Sequence, residues 1–302
     1  MIVKTVSFQK EQNLSIVQIT TDNQNSFDYI SGPSAIKQDL IRVKELSSGG
    51  SVNTLRVLNL SDKFVFLMDG DILIGAKQNR VLNTSVLLAP HTDTNIPVSC
   101  VERGRWSKIS DKFYSGDYIA PSKLRAKKAF SVSESLNLGM KHESDQGEVW
   151  QDVDNYKTSF FCKSPTSNLS DVYEQKKNDF DNFVKNFQKD ENANGIAVFV
   201  KDSLLSLDIF NRNDIYAEYF PRILKSSAME AFIIKKQSKI SEAEAKYKTL
   251  SFLDQFEHLA FDEHPGVGVG IEKRFNAEDI TGFELVYNSH MIHLTALNLK
   301  KE

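Results

Sequence analysis

Four stretches of the chain concentrate residues able to do chemistry. The first is Lys77-Gln78-Asn79-Arg80, running on through Val81-Leu82 to Asn83-Thr84-Ser85. An ammonium and a guanidinium three residues apart, with amides between them, can grip a phosphate or a carboxylate, because a planar forked donor matches two oxygens of such a group. The second, Ser99-Cys100-Val101-Glu102-Arg103-Gly104-Arg105-Trp106, packs a carboxylate, two guanidiniums and an indole into five residues. Arginines hold phosphate there, and a tryptophan face stacks on a flat ring. The third is Ser144-Asp145-Gln146-Gly147-Glu148-Val149-Trp150. The fourth, residues 266–274, sets Gly266, Gly268 and Gly270 at alternate positions before Glu272-Lys273-Arg274. Glu102, Glu148 and Glu272 are the candidate acid–base groups, if one of them is desolvated enough to titrate near neutrality.

Each stretch also has a structural account. If Val81 to Leu88 is one strand of period two, Leu82, Thr84, Val86 and Leu88 share a face that Gln78 and Arg80 join, while Lys77 and Asn79 fall on the other. An arginine at the rim of a core face needs a carboxylate or a bound anion, and Asp69, Asp71 and Glu102 are the available counter-ions. Cys100 prolongs the apolar face of Ile96 and Val98, and Glu102 two residues on opposes a thiolate, so it reads as core and not as a nucleophile. Asp145 and Glu148 have the spacing of a capping box. Alternate glycines strip one face of a strand so that a ligand or another backbone can approach, with Glu272 on that face.

The elements that must position these groups read as follows. Loose alternation over the first thirty residues predicts strands, with turns at Asp22-Asn23 and Gly32-Pro33. Residues 34–47 read as a short amphipathic helix stopped by Ser48-Gly49-Gly50. Leu55 to Leu60, Phe64 to Met68 and Asp71 to Ile74 read as strands, the last two joined in a tight hairpin by Asp69-Gly70. Ile96 to Arg103 is strand-like, residues 107–146 are irregular with a basic cluster at 123–128, and residues 170–188 form a helix capped by Ser170. Ile196 to Val200 and Leu204 to Phe210 form a second hairpin. Helices start near Pro221 and, through a Ser241/Glu244 capping box, at Ser241; Gly266 to Ile271 and Ile292 to Leu299 are strands. Val65-Phe66, Asp69 and Ile74 echo Val198-Phe199, Asp202 and Leu207, a faint sign of internal duplication. The expectation is one α+β domain spanning 1–302, with mostly antiparallel sheets and several flanking helices.

Composition narrows the classes. The 302 residues carry 37 basic and 40 acidic side chains, a formal charge of −3, which argues against a general nucleic-acid coat. No apolar run is long enough to span a bilayer, the first residues lack a leader's apolar stretch, and two cysteines make no disulfide framework. A cytoplasmic protein is the expectation. Six scattered histidines, without HExxH or CxxC, do not suggest a metal site.

Residues 75–87, 96–106 and 144–150, with the glycine run at 266–274, resemble in order the domain named for its association with ADP-ribosylglycohydrolases and rhodanese-phosphatases. The resemblance implies kinship across most of the chain and carries over no catalytic residue. By analogy it points to ADP-ribose or another NAD-derived nucleotide as a small-molecule ligand. In a binding module of that kind Lys77, Arg80, Arg103 and Arg105 contact phosphate, Asn79 and Asn83 hydrogen-bond sugar or base, Trp106 stacks, and Gln78 and Gln146 are further ligand-binding residues. The alternative is a hydrolase or transferase of such a nucleotide with Glu102, Glu148 or Glu272 as general acid or base. A third is an interaction scaffold whose polar motifs only brace the fold. The sequence leaves cofactors and protein partners open.

Overall fold

The computed structural model describes residues 2–22, 27–47, 51–234, 236–256 and 258–300. The chain starts with strands β1 (Val3–Glu11), β2 (Leu14–Thr21) and β3 (Tyr29–Ser31), then the short helix α1 (Gly32–Lys37). Strands β4 (Ile41–Glu45), β5 (Thr54–Asn59), β6 (Phe64–Leu67), β7 (Asp71–Gly75), β8 (Arg80–Leu82), β9 (Val86–Leu88), β10 (Asp93–Cys100) and β11 (Phe113–Ile119) follow. Four helices come next: α2 (Ser122–Asn137), α3 (Gln146–Ser159), α4 (Leu169–Gln175) and α5 (Lys177–Val184). The hairpin β12 (Gly195–Val200) and β13 (Ser203–Phe210) leads to α6 (Asn213–Ile233) and α7 (Glu242–Phe256). Strands β14 (Asp262–Pro265), β15 (Ile271–Asn276), β16 (Ile280–Tyr287) and β17 (His290–Asn298) close the described chain.

These strands form an α+β architecture of three sheets: β1-β2-β12-β13-β17-β16-β15-β14, β11-β7-β8-β10-β5-β4, and β3-β6-β9. Every pairing between named strands is antiparallel except β3 with β6. The run Ile196-Ala197-Val198-Phe199-Val200 is apolar throughout because both faces of β12 are covered. Ile196, Val198 and Val200 join the core that holds Ile215, Tyr219 and Ile223 of α6. Ala197 and Phe199 join a second core with Ala245, Phe252 and Leu253 of α7. A third core, built from Val65, Leu73, Leu82, Val86, Ile96 and Val98, fills the space between the two smaller sheets.

Several elements differ from the sequence expectation, each for a physical reason. Asp69-Gly70 does not make a hairpin, since β6 and β7 lie in different sheets. The chain turns there through Asp71 N–H to Met68 O, with Gly70 at a φ of +85°. A Cβ on Gly70 would also sit 2.9 Å from Arg125 Cδ. The expected strand 81–88 is two strands in two sheets, broken at Asn83-Thr84-Ser85. The echoed segments are therefore placed differently: β12 and β13 pair directly, whereas β6 and β7 part at a corner. Residues 34–47 split into the end of α1 and strand β4 instead of one helix. Within 107–146 lie β11 and the sixteen-residue α2; its buried face includes Arg125 and Lys128, and those charges interrupt the apolar period.

The helix at 170–188 breaks into α4 and α5, and Asn168, not Ser170, is the N-cap. Pro221 is inside α6, which begins eight residues earlier at Asn213. Residues 266–270 are a turn between β14 and β15 and not a strand, although the close approach is real: a Cβ on Gly268 would meet Leu87 O at 2.3 Å. Ser241 caps α7 as expected, its Oγ accepting from Glu244 N–H. Asn23 and Ser48-Gly49-Gly50 lie outside the described residues.

A buried polar network ties these parts together. Arg125 of α2 donates to Asp69 at 3.0 Å and to Asp208 of β13 at 2.7 Å, all three side chains fully buried. Lys128, one turn further along α2, reaches Asp69 at 3.4 Å, so two carboxylates face two cations. Next to it Asp71 accepts from Met68 N–H and from the Tyr219 hydroxyl through Oδ2, while its Oδ1 has no hydrogen-bond partner among the described residues. Burial pushes the Asp71 carboxyl up from 3.8 to about 6.

The folded protein thus binds this proton more tightly than the unfolded chain does. Asp71's contribution to stability is present at low pH and is lost as pH rises through about 6. Asp71→Asn keeps both acceptor contacts and removes the charge. In thermal melts from pH 7 to pH 4.5, wild type should gain stability relative to Asp71→Asn as pH falls, on the order of 2 kcal/mol. Parallel curves would contradict this.

Candidate anion-binding site

Strand β8 carries Arg80 into the middle of the six-stranded sheet, opposite Leu73 of β7 and Cys100 of β10. The preceding residues 75–79 loop tightly, with Ala76 at a φ of +40° and Gly75 N–H donating to Asn79 Oδ1 at 3.0 Å. Asn79 Nδ2 donates to Asn168 Oδ1 and Ser170 Oγ at the start of α4. Arg105 closes the loop from outside. Its Nε and Nη2 bind the two oxygens of Glu102 at 2.8 and 2.6 Å, and its Nη1 donates to Ala76 O at 2.7 Å and Ser107 O at 3.1 Å.

Glu102 is equally committed. Besides Arg105, its Oε2 accepts from Asn79 N–H at 3.0 Å and its Oε1 from the Thr166 hydroxyl at 3.0 Å. Two mostly buried charges with their hydrogen-bonding capacity used make a brace, not an acid–base pair or a ligand arm.

The third motif joins the first two through Gln146. Its Oε1 accepts from Cys100 N–H at 2.7 Å and its Nε2 donates to Cys100 O at 2.9 Å, so one amide takes the place of a neighbouring strand beyond the end of β5. Asp145 caps α3 by accepting from Gly147 and Glu148 N–H, and Glu148 stands exposed in the first turn. The Cys100 thiol is buried and donates towards Gln78 Oε1 and Glu102 O, and burial pushes its pKa up, which fits a core residue.

Arg80 is the exception in this tightly paired region. It is 0% exposed, yet among the described residues Nη1 reaches only Gln78 Oε1 at 3.0 Å and Nη2 only the Ser51 carbonyl at 3.3 Å. Its Nε has no hydrogen-bond partner among the described residues. The three carboxylates offered by the sequence are taken: Asp69 by Arg125 and Lys128, Asp71 by Tyr219 and Met68, Glu102 by Arg105. Burial pulls the Arg80 pKa below its ordinary value, and Cys100, Glu45 and Glu102 offset part of that.

The Trp106 indole borders this guanidinium. The Trp106 ring centroid lies 5.7 Å from Arg80 Cζ and 5.2 Å from Lys77 Nζ. Arg103 Cζ lies 5.9 Å from the Trp150 ring, and Arg103 pairs with Asp154 at 3.2 Å. Trp150 Nε1 is a second buried N–H without an acceptor among the described residues. Lys77, Gln78, Arg80, Arg103 and Trp106 thus come together, and Asn79, Glu102, Arg105 and Gln146 stand behind them as supports.

Asn83 and Glu272 belong to an adjoining network. Asn83 donates to His142 O and accepts from the Ser99 hydroxyl. Glu272, fully buried, binds Arg274 at 2.8 Å and lies 3.0 Å from His142 Nε2. Burial alone would raise its pKa, but Arg274 and His142 hold the carboxyl below its ordinary value. Ser85 Oγ sits 3.0 Å from His293 Nδ1, whose Nε2 is 3.4 Å from Asp208. The order is that of a hydrolase triad, but all three residues are fully buried and Ser85 Oγ is held by Asp69 N–H, so this too is core.

Sequence reasoning missed Thr166, Asn168 and Trp150. Ser164-Pro165-Thr166-Ser167-Asn168 ahead of Leu169 was the available signal, since Asn is a favoured N-cap. Nothing in the spacing showed that this loop would close on Glu102.

A family model described as the ARG and Rhodanese-Phosphatase-superfamily-associated Protein domain matches residues 3–297. Neither the curated proteins nor the solved structures searched contain a match.

The contrast between the two arginines is testable by urea unfolding. Glu102→Gln strands Arg105 and should cost about 3 kcal/mol. Arg80→Met breaks no ion pair and removes a desolvated charge, so stability should hold or rise by about 1 kcal/mol. A large loss in Arg80→Met would mean that Arg80 is a structural cation.

Proposed function

This chain belongs to the ARG and Rhodanese-Phosphatase-superfamily-associated Protein domain family, and we propose that it is a binding module for ADP-ribose or a related NAD-derived nucleotide. The observation that carries this reading is the buried Arg80 guanidinium, whose Nε has no hydrogen-bond partner among the described residues and whose three sequence-offered counter-ions, Asp69, Asp71 and Glu102, are engaged elsewhere. A desolvated cation of this kind is costly unless an anion completes it, and a phosphate supplies the acceptor oxygens its fork requires. Lys77 adds charge beside it, Arg103 lies at the rim, and Trp106 offers a ring face. The family's association supports ADP-ribose over other phosphates. Both cysteines are free, which suits a reducing compartment such as the cytoplasm.

A binding role is favoured over hydrolysis or transfer because the candidate acid–base groups are otherwise occupied. Glu102 and Glu272 are buried in ion pairs, and Glu148 stands exposed at a helix start. Calorimetry with ADP-ribose, NAD and ADP at millimolar concentration should give heat of binding for at least one of them. Arg80→Met should weaken that ligand at least tenfold, about 1.4 kcal/mol. Absence of heat with all three would remove the proposal.

A further inference from the structure

An indole lies against the buried Arg80 guanidinium. The guanidinium is fully buried, and the Trp106 indole that contacts it remains 47% exposed. Trp106 lies in residues 103–112, which form neither helix nor strand. That segment is pinned on both sides of the indole. Gly104 N–H donates to Thr166 O at 2.8 Å, Arg105 is locked to Glu102, and Ile109 N–H donates to Ala76 O at 3.0 Å. The backbone is thus held on either side while the ring is free to leave its two cations.

We infer that Trp106 is the specificity-determining residue of this site, favouring ligands in which a phosphate is joined to a flat ring over bare phosphates. The inference rests on the anion-binding reading above and goes beyond it by assigning the selection to one side chain. An anion that reaches Arg80 Nε displaces the indole and ends its contacts with Arg80 and Lys77. A bare phosphate gives the displaced indole nothing in return. A ligand carrying a planar ring restores the lost contact by stacking on the same indole, whose π face accepts a ring as readily as a cation. The indole therefore taxes every anion and refunds only those that bring a ring.

Pyrophosphate and ADP separate the two effects, since they share a diphosphate and differ in the adenosine. Calorimetry should be run with both ligands on wild type, Trp106→Ala and Trp106→Phe. In Trp106→Ala, pyrophosphate should bind about tenfold more tightly, the order of one cation–π contact, while ADP should bind about as in wild type because the lost stacking cancels the relief, so the preference for ADP falls about tenfold. Trp106→Phe keeps a π face and should retain the wild-type preference, which also guards against a folding defect in the alanine variant. Shifts of both ligands in the same direction, or an unchanged ratio, would overturn the inference. If Arg80→Met abolishes ADP binding while Trp106→Ala leaves the ratio alone, only the role of Trp106 falls. If neither ligand binds wild type or Trp106→Ala, the anion-binding reading falls with it.

Discussion

The structure depends on a charge that no water reaches. Arg125, on a helix the apolar period does not reveal, lies between Asp69 at a sheet corner and Asp208 in the largest sheet. Burial opposes its charge, and the two aspartates more than compensate, holding its pKa above the ordinary value. Lys128 supplies the second cation, so the cluster is neutral as a whole. Replacing either aspartate would leave an uncompensated charge in a core, which is the costly way to break such a network. The network therefore specifies one docking of the smaller sheets against the larger one, where an apolar interface alone would tolerate several.

The same constraint explains why the chain is so polar around residues 77–85. Strands β7 and β8 belong to one sheet, β6 and β9 to another, and the chain crosses between them at Asp69-Gly70 and again at Asn83-Thr84-Ser85. Where a strand leaves its sheet, backbone groups lose their ladder partners and need side chains or neighbouring backbone instead. Asp69 N–H finds Ser85 Oγ, Gly70 N–H finds Leu82 O, and Thr84 receives Arg274. Much of the polar motif is thus the chemistry of turning a corner. Arg80 is what remains when that requirement is met.

Arg105 and Arg80 show how little an arginine's position in sequence says about its role. Arg105 stands in a motif of mixed charge next to Trp106, whereas Arg80 stands in a motif of cations and amides and meets Trp106 only in the fold. Arg105 falls three residues after Glu102 and folds back on it, so its donors are used within a few residues of chain. Arg80 finds the three carboxylates the sequence offered it, Asp69, Asp71 and Glu102, already partnered on α2, on α6 and in the loop after β10. The one is a brace because its partner is local. The other is a candidate for ligand contact because its possible partners were claimed by distant elements.

Much was legible before any fold was known. Short apolar runs marked the β12/β13 hairpin, alternation marked the closing strand, and capping spacings placed the starts of α3 and α7, because these features depend on residues close in sequence. The polar segments that come together around Arg80 were legible as segments for the same reason. Helix α2 was hidden because its inward face carries Arg125 and Lys128, charges that pair only with residues far along the chain. Which sheet each strand joins, that residues 83–85 break a strand, that Thr166 and Asn168 close on Glu102 and Asn79, and that the buried Arg80 keeps an unpartnered Nε among the described residues were decided by tertiary structure. Charge pairing is a competition among all groups brought within a few ångströms, and only the folded chain determines who the competitors are.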